Sequence, residues 1–383
     1  MARLPVTRWL ARVLALALLP AGLPAQHPTV SVPTAPAAPQ LWPTRTLLGQ
    51  DYVSARDVAK RFNLKAEWAR ADLVMTLSDA SGVRLSFESR RRDFHFDGLR
   101  VFLGEPAVAE RDSIWISKLD VIKIIHPLFR PADHLALLPA AAPKIIVLDP
   151  GHGGSDPGKE NKLLGLNEKT ATLDVVLRLK KILEARGWQV LLTRPDDREL
   201  SPVKVVDLKR RADVANLAHA DLFLSIHFNS VEKDTDRVTG VETYSMTPQF
   251  MLSTADERKD DKTDTAFPGN KLDNANLLLG EQLHRAMISS LKASDRGYKH
   301  GRLEVLRLAE CPGALVECAY LSNITDARRV ATPEYRDRIA QALATGVQNY
   351  AAALAALHPA PLPPPVLLPP TRPTTPPAAP ASK

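Results

Sequence analysis

From residue 143 onward the chain alternates short apolar runs with stretches of helical period. The segments KIIVLD (144–149), WQVLLTR (188–194), DLFLSIHFN (221–229), GVETYSM (240–246), LEVLRL (303–308) and GALVECAYL (313–321) have the length and apolar content of strands. Between them, 166–187, 201–218, 274–294 and 332–354 have helical periodicity. In the first of these, Leu173, Val176, Leu177, Leu179 and Leu183 fall on one side, with Asn167 as an N-cap and Gly187 as the residue that ends the helix. Strand alternating with helix predicts an α/β fold, a mostly parallel twisted sheet flanked by helices.

Residues 45–140 have a different rhythm. YVSARDVAKRF has a helical period. LVMTLSD, VRLSFES, DFHFDG, RVFLG and SIWISKLDVIKII read as strands with one closing helix, which predicts a small α+β accessory domain. It holds no acid/base pair or ligand cluster, and His95 and His126 stand alone. The outer segments differ again. Residues 1–26 carry Arg3, Arg8 and Arg12 ahead of an apolar core, Val13–Leu19, too short to span a bilayer, as in an export signal. Residues 27–44 are a Pro-rich linker, and 357–383 form a Pro-rich tail expected to be disordered. The catalytic part is therefore expected at 143–356. No later segment is long and apolar enough to cross a membrane, so an exported protein of the periplasm or cell envelope is expected.

The candidate chemistry starts in VLDPGHGGSDPGK (147–159). Gly153 to Lys159 fits the phosphate-loop spacing G-x-x-x-x-G-K, but Glu160 stands where Ser or Thr would hold magnesium, and no helix follows at once. The dinucleotide spacing fails at Asp156. A metal site accounts for more residues. His152 follows one strand, His227 ends a second, Glu317 ends a third, and Glu168 opens the first helix. In open α/β sheets the carboxyl ends of strands form the site. Two imidazoles and a carboxylate suit catalytic zinc with one position left for water, and a fourth carboxylate can serve as general base. Glu242 and His284 read first as structural and as solvated, respectively. His300 reads as an exposed loop residue.

These residues sit in motifs that resemble a known family. IIVLDPGHGGSDPG, NEK (167–169), TRPDD, RADVANLAHADLFLSIHFNS, GVETY, RGYK, VLR and ALVECAYLSN occur in order over residues 144–352, as in the zinc-dependent N-acetylmuramoyl-L-alanine amidases of the family-3 type. The resemblance implies one Zn²⁺ per catalytic domain, held by His152, Glu168 and His227, with Glu317 as the catalytic carboxylate and Asn229 and Arg296 beside the substrate. It implies peptidoglycan as substrate, cut between N-acetylmuramic acid and L-alanine. In some members a segment near 247–273 occludes the metal until a protein activator displaces it, so this long charged loop is a candidate rim or gate here. Residues 45–140 resemble a copper-amine-oxidase N-terminal-like domain, through DYVSARDVA and DSIWISKLDVI, with no copper site implied.

Charge changes the picture little. The net charge is +7 and the pI about 9.3, but the basic residues form no long run, so no nucleic-acid partner is expected. Cys311 and Cys318 flank one strand and lie too far apart along it to be bridged.

Overall fold

The computed structural model describes residues 41–140, 142–254 and 261–358. The expected export signal, nearly all of the linker and all but the first two residues of the tail lie outside the described residues.

Eleven strands form the main sheet. Five come from the N-terminal segment: β1 (Lys65–Arg70), β2 (Val74–Asp79), β3 (Gly82–Glu88), β4 (Asp93–Phe96) and β5 (Leu99–Phe102). Six follow: β6 (Ile145–Pro150), β7 (Gln189–Leu192), β8 (Leu222–Asn229), β9 (Val241–Ser245), β10 (Asp295–His300) and β11 (Gly313–Tyr320). Their order is β7-β6-β8-β11-β9-β10-β5-β4-β3-β2-β1. The helices are α1 (Ala55–Phe62), α2 (Glu168–Ala185), α3 (Lys204–Leu217), α4 (Asp273–Leu291), α5 (Glu304–Leu308), α6 (Ile324–Ala331) and α7 (Pro333–Leu357). Among the described residues none is long and apolar enough to cross a membrane.

The expected mostly parallel sheet is instead mixed. β7, β6, β8 and β11 are parallel, β9 runs against β11, and β1 to β5 form an antiparallel meander. The reversal has a local cause. A parallel return needs a crossover, usually helical. Residues 230–240 contain no helix, so the chain re-enters at the edge where β8 ended and runs back. β10 then pairs with β9 and with β5, which joins the N-terminal strands to the same sheet. The two parts also share a core, because Met251, Leu277 and Tyr298 pack among N-terminal residues such as Val101, Leu103 and Ile124.

Helices α2, α4 and α7 cover one face over Ile146, Leu148, Leu224, Ile226 and Val316. On α2 the buried stripe is Ala171, Thr172, Val175, Val176, Leu179 and Leu183, while Leu177, expected inside, is exposed. Asn167 caps α2, accepting from the Thr170 amide, and Gly187 ends it at φ 87°. Helices α3 and α5 pack on the other face, over Val147, Phe223 and Leu315. LEVLRL, expected as a strand, is the single turn α5. Its short apolar run carries no period that separates the two states, and burial of Val305 and Leu306 against the sheet decides it.

The described residues of the 247–273 segment lie toward the far end of β9. β9 runs antiparallel to β11 and ends with Ser245 opposite Ala314, near the start of β11. The loop therefore leaves the sheet at the edge opposite His227 and Glu317. Its described residues are pinned there. Arg302, largely enclosed, pairs with Asp261 and donates to the Met251 carbonyl at 3.0 Å, and the Thr254 amide donates to the His300 carbonyl at 2.8 Å.

Candidate metal centre and active site

The sheet's carboxyl edge is built around the loop after β6. Gly151 donates to the Ile226 carbonyl at 3.0 Å, which ties the loop to β8. His152 takes φ 63°, a conformation that costs a non-glycine residue about 1–3 kcal/mol and persists only where its surroundings impose it. Two buried arginines impose it. Arg194 donates to the carbonyls of Pro150 (3.0 Å) and Gly151 (2.9 Å), and Arg211 to those of Pro150 (2.9 Å) and His152 (2.8 Å). The glycines serve close approach. A Cβ on Gly151 would lie 2.2 Å from the His227 ring, and one on Gly158 would lie 2.6 Å from Glu168 Oε2.

His152, Glu168 and His227 meet there, with their ligand atoms all within 4.8 Å of one another, and among the described residues no other His/Cys/Asp/Glu set does so. Glu168 Oε2 is 3.1 Å from His152 Nε2 and Oε1 is 3.0 Å from His227 Nδ1. The Lys159 and Phe228 amides donate to the two Glu168 oxygens at 2.8 and 2.9 Å. Burial would raise the Glu168 pKa. The hydrogen bonds from both imidazoles outweigh that and hold it well below the usual carboxylate range. His152 Nδ1 lies 2.9 Å from Asp156 Oδ2, and Asp156 also pairs with Lys204. Such a carboxylate orients the imidazole and leaves Nε2 free for a cation. Asp156→Asn is therefore expected to weaken divalent-metal affinity by about 10–100-fold, measured by competition against a chelating dye. An unchanged affinity would remove Asp156 from this role.

The second half of the site follows from strand register. His227 on β8 lies opposite Glu317 on β11, and Glu317 opposite Glu242 on β9, so the three residues stand abreast. Glu317 Oε2 is buried with no hydrogen-bond partner among the described residues. Burial, then the charges of Glu168 and Glu242, raise the Glu317 pKa well above the ordinary value, and Lys299 opposes the rise only in part. Glu168 and Glu317 are thus pushed in opposite directions, as acid/base and charge-holding roles require.

Glu242 belongs to the site face, unlike its first reading from the sequence. It is buried and accepts from Asn229 Nδ2 (3.0 Å), Tyr244 OH (2.8 Å), Tyr320 OH (2.5 Å) and Lys299 Nζ (2.7 Å), with Arg296 Nε at 3.8 Å. Asn229 and Arg296 converge on it. His300 lies apart, buried on β10 against Ser245, and burial pushes its pKa down to about 3. His284 is buried rather than solvated, because α4 lies between the sheet and α7, and it bridges Thr243 and Asp295 at 3.0 and 2.9 Å. Asp156, Arg194 and Arg211 were given no role by sequence reasoning. The two arginines stand in TRPDD and RADVANLA, but spacing alone does not show that both reach back to the loop after β6.

A three-residue ligand set at the carboxyl edge of an α/β sheet, with a buried carboxylate beside it, defines a candidate metal-dependent hydrolase site. A family model described as N-acetylmuramoyl-L-alanine amidase matches residues 146–349, more than half of the chain, and the chain belongs to that family. It is similar to the N-acetylmuramoyl-L-alanine amidase LytC of Bacillus subtilis, with 33% identity over 205 residues, 54% of this chain and 35% of the relative. It is 32% identical to the sporulation-specific amidase of the same organism over 206 residues, 53% of this chain and 67% of the relative. The solved catalytic domain of the amidase CwlV from Bacillus (Paenibacillus) polymyxa is 28% identical, with a TM-score of 0.44, and the match covers 54% of this chain and 97% of that one. The chain thus spans about a third of LytC, and the segment before residue 146 lies outside the family match.

Proposed function

We propose that this protein is a zinc-dependent peptidoglycan hydrolase that cleaves the amide between N-acetylmuramic acid and the L-alanine of the stem peptide. The observation that carries the reading is the ligand set His152, Glu168 and His227 with Glu317 abreast of it. The residues fit the metal. Two imidazoles and one carboxylate are the donor set of many catalytic zinc sites. Gly151 and Gly158 leave space that a Cβ would fill. Bound there, zinc would lower the pKa of a water to near neutrality and polarise the carbonyl to be attacked.

The chain's own groups do the rest. Glu317 is placed to take a proton from the attacking water and return it to the alanyl nitrogen as the C–N bond breaks, which leaves a lactyl carboxylate and a free amine. Its partner-free Oε2 leaves it available for this transfer. Arg194 and Arg211 hold the loop that presents His152, and Asp156 orients its ring. The substrate places the protein in the cell envelope, in keeping with the expected export signal.

Digestion of sacculi by the purified protein tests the reading. Mass spectrometry is expected to find intact glycan and intact stem peptides with a free L-alanine amine, and a chelator should abolish their release. Cut glycan, cut peptide or chelator-resistant release would overturn it.

A further inference from the structure

The polar cluster around Glu242 sets two cations, Lys299 and Arg296, beside Glu242 and its cross-strand neighbour Glu317. One carboxylate faces both Lys299 and Arg296. Lys299 is largely enclosed, at 15% side-chain exposure, with Nζ bonded to Glu242. Arg296 is the second residue of β10, at the same edge as the candidate metal ligands. Its guanidinium lies 5.8 Å from the centre of the Tyr320 ring and 3.8 Å, at Nε, from Glu242. It is held in place at Nε, which is buried beside Glu242, while the side chain as a whole is 37% exposed, so its outer edge faces solvent. A fixed, partly exposed guanidinium beside an ammonium matches a carboxylate in shape and charge.

The N-terminal segment supplies the other side of this cluster. Strand β5 pairs with β10, and the Arg100 amide donates to Asp295 Oδ2 at 2.9 Å, one residue before Arg296. The Phe102 ring centre is 5.3 Å from Lys299 Nζ. The same ring presses on β10 so closely that a Cβ on Gly297, at φ 105°, would lie 2.4 Å from it. Arg100 covers the ring from outside, with its guanidinium carbon 4.7 Å from the centre. A segment outside the family match therefore braces the residues next to the site.

We propose that Arg296 and Lys299, braced by Glu242 on one side and by Phe102 of the N-terminal strand on the other, form a subsite for a free carboxylate on the peptide side of the cleaved bond. The inference rests on the amidase reading and names what that site selects. Glu242 lies two strands from His227, roughly 10 Å at about 4.8 Å per strand. An extended peptide covers that span in about three residues at ~3.5 Å each, and a carboxylate borne on a side branch needs fewer. The chemical class is a stem peptide whose second residue keeps its α-carboxylate, as opposed to one in which that group is a carboxamide.

The test uses the full chain with zinc and two synthetic muramoyl peptides that differ only in carboxylate or carboxamide at the second residue. The parent protein is expected to favour the carboxylate in kcat/KM by about ten- to a hundredfold, the range of one charge-assisted hydrogen bond. In Arg296→Gln the ratio between substrates should collapse toward one, through KM rather than kcat, and Arg296→Lys should recover part of it. In Phe102→Leu the ratio should fall by a smaller factor with the cleaved bond unchanged, which a segment serving stability alone would not produce. Thermal melting of each variant separates these effects from unfolding. Equal use of both substrates by the parent, or an undiminished ratio in Arg296→Gln, overturns the subsite. Failure to cleave either substrate overturns the amidase reading, and the subsite with it.

Discussion

Glu317→Gln is expected to lower kcat on sacculi by about a hundredfold to ten-thousandfold, the usual contribution of a positioned proton-transfer group. The substitution keeps the shape and removes only the ability to take and return a proton. His152, Glu168 and His227 are untouched, so zinc content, measured by elemental analysis, should stay at the parental value. The sign of the stability effect is also set. Glu317 has a pKa raised by folding, so the native state binds its proton more tightly than the unfolded chain does. The stability tied to this group is therefore present below the ordinary carboxylate pKa and is lost as pH rises past it toward the raised native value. The glutamine has no charge to bury, so the metal-free variant should melt no lower than the metal-free parent at neutral pH. Full activity in Glu317→Gln would remove the residue from catalysis. Lost activity together with lost zinc would make it a ligand instead.

Arg211→Leu is expected to cost about 3–5 kcal/mol of stability, the range for breaking a buried ion pair from one side. The guanidinium is buried between two carboxylates, Asp207 at 2.7 Å and Asp149 at 2.9 Å. Asp149 lies fully inside the sheet's edge and also accepts from Thr193 (2.6 Å) and Ser225 (2.7 Å). Burial would raise the Asp149 pKa, but Arg211 and the two hydroxyls outweigh it and keep the carboxylate ionised. That stabilisation is present above the unfolded-state pKa, near 3.9, and is lost only as pH falls through the still lower native value. Without Arg211 the buried charge is uncompensated and its native pKa rises. The urea midpoint of the variant should therefore lie well below the parental one at pH about 8, and the gap should narrow toward pH about 5 as Asp149 takes up a proton. Zinc affinity should fall as well, because Arg211 no longer holds the His152 carbonyl. A midpoint shift equivalent to less than about 1 kcal/mol would show that the pair does not brace the loop.

How legible these features are depends on how local their causes are. The first helix could be read to its ends because Asn167 caps it through a side chain three residues from its partner, and Gly187 ends it by its own conformation. The candidate ligands were legible for a related reason. Each sits at the end of a strand or at the start of a helix, and parallel strands bring such ends to one edge. RGYK could be quoted as a motif but not seen as part of a strand, since β10 is half polar and exists only by pairing with β9 and β5. Glu242 could not be placed, because which way its side chain faces depends on the register of β9 against β11. His284 looked like a surface residue, because nothing in its own segment shows that it faces Thr243 on β9 and Asp295 on β10.

The sequence by itself determined most of the helical and strand periods, the ends of helix α2 and the glycines around His152, because these depend on neighbours within a few residues or on backbone sterics. Only the tertiary structure decided that β9 runs backwards and that the 247–273 loop leaves from the far edge. It alone decided that Arg194 and Arg211 clamp the loop, and that the N-terminal strands extend the catalytic sheet to brace Arg296 and Lys299. Those outcomes depend on strand pairing and buried charge between residues tens to hundreds of positions apart, and no local pattern in the chain records them.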